Sequence, residues 1–175
     1  DAAAIALCRE IVPALRAMTP RAVTATIAGG GAGPELRQAA KAAAVDLPGY
    51  VADLASVYRD AHVAVVSVRA GGGTRIKAIE AFAWRRPVVS TAFGVEGLGV
   101  RDGEHLLLAD ESEAMARQCL RLLAEPDLAG ELVERAWRSF VSAWSTERLD
   151  AIVAALDAEP LPRATPAASA RRDPR

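Results

Sequence analysis

Two kinds of apolar pattern alternate along the chain: stripes at helical spacing, and short unbroken runs too brief for a helix. Ile5, Cys8, Ile11, Val12 and Leu15 share one face of an opening helix that ends before Pro20. Val23 to Ala28 reads as a short buried strand, followed by Gly29-Gly30-Gly31 and a helix opened by Pro34 and Glu35. Val45 to Leu47 is a second short strand closed by Pro48-Gly49, and Asp53 caps a brief helix through Arg59. Val63 to Val68 is a third strand. After Gly71-Gly72-Gly73 a helix runs from Thr74 to about Arg85, where Pro87 stops it. Val88 to Thr91 and Leu106 to Leu108 are two further strands, separated by a loop carrying Gly94, Gly97, Gly99 and Gly103.

Asp110 with Glu113 three residues on is a capping signal for the next helix, whose inner face is Met115, Cys119, Leu122 and Leu123. Leu132, Val133, Ala136, Trp137, Phe140 and Val141 form a broad stripe on the helix after Pro126. Ser145 caps a last helix carrying Leu149, Ile152, Val153 and Leu156. Beyond Glu159 the chain turns to Pro, Ala and Arg without a period, so residues 1–157 are expected to form one domain and 158–175 a disordered tail. Short apolar strands alternating with helices predict an α/β fold, a parallel sheet with helices on both faces. Ligands in such folds sit at the carboxyl ends of the strands, where both glycine triplets fall.

Composition narrows the function classes. The 175 residues are 51% hydrophobic and 25% charged, with a net charge of −1. That balance leaves no electrostatic footprint for nucleic acid or an anionic membrane, so any anion site must be local. No apolar run reaches the roughly 18 residues of a spanning helix, and no signal peptide is visible. Cys8 and Cys119 fall on apolar helix faces and read as buried thiols in a reducing, cytoplasmic setting. Neither they nor the isolated His62 and His105 have metal-ligand spacing. The chain starts at Asp1 rather than Met and enters a helix at once, which suggests a piece of something longer.

The candidate site is Gly71-Gly72-Gly73-Thr74-Arg75-Ile76-Lys77 with Glu80 one turn on. A strand, a glycine turn and a helix start aim bare N–H groups at one point, and the helix dipole makes that point attractive to an anion. Arg75 and Lys77 oppose that dipole unless something negative lies nearby, so the segment reads as a phosphate site. Neither the P-loop spacing nor G-x-G-x-x-G is present. Glu80, ringed by Ala78, Ile79, Ala81, Phe82 and Ala83, is suited to accept from ribose hydroxyls; its simpler reading is an ion pair with Lys77. Glu96, in Gly94-Val95-Glu96-Gly97, lies where it could reach a ligand. Trp84, Trp137 and Trp144 fit core positions better than stacking platforms.

The stretch from Gly71 to Lys77, then Ile79-Glu80-Ala81-Phe82-Ala83, then Arg86-Pro87-Val88-Val89-Ser90-Thr91, closely resembles the donor-binding half of family 4 glycosyltransferases. Ala28-Gly29-Gly30-Gly31 with Pro34, Pro48 to Leu54, Gly94 to Leu98 and Asp102 to Leu107 are similar to further segments of that family, so the resemblance covers about residues 2–157. It implies the C-terminal, Rossmann-like half of a GT-B fold, lacking its first strand, and retaining transfer of a sugar from a UDP- or GDP-linked donor. That donor is a substrate, and no cofactor is implied. The resemblance places the donor diphosphate at the amides of Gly73 and Thr74, with Gly72 in the same donor site. The family's own Arg and Lys for the diphosphate usually follow the domain's first strand, ahead of this stretch, and Arg75 or Lys77 is expected to add the charge instead. Gly30, Gly31 and Glu96 belong to the same donor site. Tyr50, Val51 and Leu54 would hold the base and Glu80 the ribose. Two departures stand out: in the family's Glu-x7-Glu motif the first glutamate falls on Gly72 here, and the Arg and Lys with which the family grips the diphosphate are not found in this stretch.

The implied partner is an N-terminal acceptor-binding domain of the same polypeptide, with peripheral membrane contact of the full enzyme left open. Rival readings are a sugar-nucleotide epimerase of GT-B fold and a noncatalytic α/β binding module. A dinucleotide oxidoreductase lacks its glycine fingerprint.

Overall fold

The computed structural model describes residues 1–72 and 74–144. The helix expected after Ser145, the tail 158–175, Gly73 and the Trp144 side chain lie outside the described residues. The opening stripe winds through α1 (Ala2–Ala6), a π-helical turn (Leu7–Ile11) and α2 (Val12–Ala17). The π turn is not visible as a period, but its cause is in the chain. Pro13 has no N–H for the Arg9 carbonyl and its ring would press on it; the widened turn relieves that crowding. Cys8, Ile11, Val12 and Leu15 are buried on the face the spacing predicts.

Five strands form where the apolar runs lie: β1 (Thr26–Ala28), β2 (Asp46–Gly49), β3 (Ala64–Val66), β4 (Val88–Ser90) and β5 (Leu107–Leu108). All pair in parallel, as expected, but in two ladders, β1–β2 and β3–β4–β5. The start of α1 lies between them. Asp1 Oδ2 accepts the Gly33 N–H at 3.2 Å, and the Ala3 carbonyl accepts from Ser67 Oγ at 3.0 Å. β2 runs on through Pro48, which a strand bonded on one side tolerates.

β4 is buried on both faces. Val88 joins a cluster with Val66, Ala78, Ala81, Phe82 and Ala136, while Val89 packs with Ile11, Leu15, Met115, Cys119 and Leu132. Successive side chains point to opposite sides of a strand, so α5 (Ile76–Ala83) covers one face of the ladder and α2 with α6 (Ser112–Ala124) the other. A third cluster, Cys8, Val12, Leu36, Ala39, Ala40 and Val45, joins the opening helix, α3 (Pro34–Ala42) and the start of β2.

Helix ends follow local chemistry. Asp53 caps α4 (Leu54–Asp60), its carboxylate accepting the Ala55 N–H at 3.0 Å. α5 starts at Ile76, later than the Thr74 expected, which leaves Arg75 at the cap position. It ends in a Schellman motif, with Arg85 N–H on the Phe82 carbonyl and Arg86 N–H on Ala81, and Arg85 takes the left-handed conformation at φ 51°. Pro87 then leaves the helix, and its carbonyl accepts the Ala64 N–H to open the β3–β4 ladder.

Four expectations need correction. Asp110 does not cap α6; the cap position is Glu111, and Asp110 Oδ1 instead accepts the Ala92 N–H at 2.9 Å, tying the loop after β4 to that before α6. Leu123 is exposed, because it sits 100° around the helix from the buried Leu122. On α7 (Pro126–Trp144) the buried line steps from Leu132 to Ala136 and the partly buried Phe140, and Val141, 100° beyond, is exposed. Trp84 is not core: at the C-cap of α5 it is 41% exposed and stacks on Tyr58 with ring centroids 6.3 Å apart.

Burial pushes the Cys119 thiol from its usual value near 9 up to about 12. Between those values the unfolded chain has lost a proton that the folded chain keeps, so stability must fall as pH rises. The expected slope is about 1.4 kcal/mol per pH unit. Urea midpoints at pH 9, 10 and 11 for wild type and Cys119→Ala check this: the variant starts less stable but declines less steeply.

Candidate functional site

Loops leave the carboxyl ends of three strands: one after β1 with Gly29 to Gly33, one after β3 with Gly71 and Gly72, and 91–97 after β4. The last is pinned from beneath. Thr91, fully buried, donates its hydroxyl to the Val68 carbonyl and accepts the Gly94 N–H at 2.9 Å. A Cβ on Gly94 would stand 2.6 Å from Ser90 Oγ and 2.9 Å from Val66 Cγ1, so only glycine lets the turn Phe93–Val95 lie this close to the strands. Phe93 and Glu96 are thereby held toward the start of α5.

The glycines of the other two loops behave differently. Gly71, at φ 132°, needs its missing side chain for the backbone itself. Gly30 and Gly72 lie outside the left-handed region, and a Cβ on either would meet no heavy atom within 4 Å. Among the described residues nothing demands glycine at these two places. Open space over bare backbone is what a ligand approaching the amides would need.

The cations at the start of α5 both meet carboxylates of the same chain. Arg75, its side chain 14% exposed, lies over the Phe93 ring at 4.2 Å and bonds Glu96 Oε2 at 3.1 Å. Lys77 Nζ donates to Glu80 Oε2 at 3.2 Å. The conflict between helix dipole and cationic side chains is thus met by Glu96 and Glu80. The Lys77 pair, more than half exposed on the lysine side, is worth well under ~1 kcal/mol. Glu80 also accepts the Tyr58 hydroxyl at 3.2 Å, again on Oε2. Burial and the neighbouring Glu80 carboxylate both raise the Tyr58 phenol well above its usual range, so it stays a donor.

Arg75, Lys77, Glu80 and Glu96 therefore lie along the start of α5 and the loop facing it. Gly30, Gly31 and Tyr50 form a second group, joined through the Gly29 N–H on the Gly49 carbonyl at 2.8 Å. Tyr50 is 83% exposed, Val51 and Leu54 are partly buried, and Thr74 is exposed with its carbonyl accepting the Ile76 N–H at 2.7 Å. Among the described residues no hydrogen bond or ion pair joins the two groups. A depression of about 350 Å³ between the opening helix and α3, lined by Cys8, Arg9, Pro13 and Gln38 among others, contains none of these residues. His105 serves a turn, its Nδ1 accepting the Arg101 N–H at 3.1 Å, and His62 is exposed ahead of β3.

Sequence reasoning missed Tyr58 and Phe93. Tyr58 sits in a seven-residue helix with no charged neighbour pattern pointing at Glu80, 22 positions away. Phe93 could have been suspected from its place in a glycine-rich loop after a strand, where a lone aromatic has no strand or helix face to bury.

Parallel ladders with glycine loops open at their carboxyl ends define a Rossmann-like α/β domain. The family model described as Glycosyl transferases group 1 matches residues 2–125, and the chain belongs to that family. Its fold is that of the C-terminal half of the GT-B glycosyltransferases. The chain is similar to HepE of Anabaena, solved in complex with UDP and glucose, at 18% identity and a TM-score of 0.74 over 86% of this chain and 44% of that one. It is similar to sucrose-phosphate synthase of Thermosynechococcus elongatus at 24% identity and a TM-score of 0.70, over 86% and 42% of the two chains. The C-terminal domain of LpcC, a glycosyl transferase group 1 protein of Francisella tularensis, matches at 20% identity and a TM-score of 0.69, over 83% and 82%. The chain thus spans less than half the length of HepE. No curated protein sequence matches it significantly. Among the described residues no helix is long and apolar enough to cross a membrane.

Two substitutions separate scaffold from site. Gly94→Ala should overpack the loop and cost about 1–3 kcal/mol in urea unfolding. Arg75→Ala, without any ligand, should cost about 1–2 kcal/mol through the lost ring contact and ion pair. A neutral result for Arg75→Ala would mean that its contacts with Phe93 and Glu96 add nothing to stability.

Proposed function

We propose that this chain is the donor-binding domain of a retaining glycosyltransferase that transfers a hexosyl group from a UDP- or GDP-linked sugar. The observation carrying the reading is the open, unfilled space over Gly30 and Gly72 at the strand ends, beside a helix start whose carboxylate, Glu80, is already held in place. The UDP found with HepE supports a nucleoside diphosphate as the ligand class.

In this reading the amides of Gly73 and Thr74 receive the diphosphate, and Gly30, Gly31 and Gly72 line the same donor site. Arg75 and Lys77 add positive charge beside it. Glu80 accepts the ribose hydroxyls, Tyr50, Val51 and Leu54 bound the base, and Glu96 faces the sugar end. Fixed donors of this kind stabilise the charge that grows on the leaving diphosphate as the sugar departs. Gly72 stands where the family's first motif glutamate would be, so that carboxylate's part must be taken by another group. An N-terminal acceptor-binding domain of the same polypeptide completes the cleft, and the 175-residue chain alone should show no transfer.

Calorimetric titration of the chain with UDP and GDP tests the reading. One of the two should bind, and Glu80→Ala should weaken it about 10- to 100-fold, as expected for lost hydrogen bonds to a charged group. Gly72→Ala should leave the melting temperature within a degree or two yet weaken binding at least severalfold. Indifference to both nucleotides would overturn the assignment.

A further inference from the structure

Tyr58 is the one described side chain from another element that reaches the Glu80 carboxylate, and the fold goes to some length to hold it there. It comes from α4, which Asp53 caps, and reaches across to Glu80 and Trp84 at α5. Its ring stacks on Trp84 at the far end of α5, with planes 12° from parallel, so the phenol is fixed along the helix rather than swinging across it. The hydroxyl then meets Glu80 Oε2 at 3.2 Å, the same oxygen that Lys77 Nζ reaches at 3.2 Å.

A glutamate side chain on a helix surface ordinarily turns freely about its last torsion. Here two donors take one oxygen, and among the described residues none takes the other. The carboxylate plane is set, and Oε1 keeps its lone pairs for an outside donor. Accepting two vicinal hydroxyls at once needs such a fixed plane, because a rotating carboxylate must be ordered when the ligand binds and that ordering costs affinity. The donor strength of the phenol does not vary through neutral pH, since its ionisation is shifted upward.

We propose that Tyr58 is a positioning residue that orients Glu80 for a vicinal diol, and so determines the preference of this site for a ribonucleotide over a nucleotide lacking the 2′ and 3′ hydroxyls. The proposal rests on the reading of Glu80 as the ribose contact. It is not met by Lys77 alone, because the lysine side chain is more than half exposed and flexible, whereas Tyr58 is partly buried and stacked.

The test compares UDP with 2′,3′-dideoxy-UDP, or GDP with 2′,3′-dideoxy-GDP where GDP is the nucleotide that binds, by calorimetry, in the intact protein and in Tyr58→Phe and Glu80→Gln; UDP below stands for whichever nucleotide binds. Tyr58→Phe keeps the ring and its stack on Trp84 and removes only the hydroxyl. Wild type should prefer UDP, Tyr58→Phe should lose about tenfold in UDP affinity with dideoxy-UDP unchanged, and Glu80→Gln should lose the preference altogether. A fraction of misfolded protein would lower the active concentration for both ligands together, so the ratio of the two affinities reports orientation and not folding. If Glu80→Gln abolishes the preference while Tyr58→Phe keeps it, the positioning role is wrong and the ribose reading survives. If wild type shows no preference between the two ligands, the ribose reading itself fails.

Discussion

Burial of β4 on both of its faces constrains everything at the strand ends. Val88 and Val89 belong to separate clusters on opposite sides, and Ser90 and Thr91 are closed off as completely. A strand in that position cannot shift by a residue without turning each side chain into the wrong layer. Its end is therefore a fixed point, and Thr91 uses that point to hold both the chain just beyond β3, through the Val68 carbonyl, and the turn at Gly94. The loop carrying Phe93 and Glu96 inherits its position from these bonds, and Arg75 inherits its position from the loop.

The start of α5 is built as a charge-balanced edge and not as a bare cationic patch. Each cation there is joined to a carboxylate, Arg75 to Glu96 and Lys77 to Glu80. Such an edge is stable without a ligand and can still present amides and positive charge to one, because Glu96 and Lys77 remain largely exposed and can exchange partners at small cost. Glu80 differs from its neighbours in being held from two elements. Gly30 and Gly31 after β1 and Gly71 and Gly72 after β3 are uncovered, which places the rigid part of the site on helices and strands and the open part on backbone.

Much of this was legible in the residues. Helical spacing found the buried faces of the opening helix, α6 and α7 through Ile11, Leu15, Met115, Cys119 and Leu132, since a periodic stripe buries itself wherever a partner lies. The five strands and their parallel sense followed from short apolar runs separated by helices. The local signs also located the glycine loops and the Asp53 cap. Where one residue has several competing partners, local signs misled. Asp110 had both a helix to cap and a loop amide to hold, and took the amide of Ala92. Trp84 read as core by spacing, yet a helix that ends in a Schellman turn leaves its cap residue at the surface.

The chain's own order of residues determined the elements, the buried stripes, the family and the strand ends where a ligand would lie, because these depend on neighbours a few positions apart. Only the tertiary structure decided that two parallel ladders flank the start of α1, that Arg75 turns to Phe93 and Glu96, and that Tyr58 grips Glu80. Those contacts join residues 18 to 64 positions apart. Which of several possible partners a charged or aromatic side chain finds at such separations depends on how the layers pack, and no periodicity along the chain encodes it.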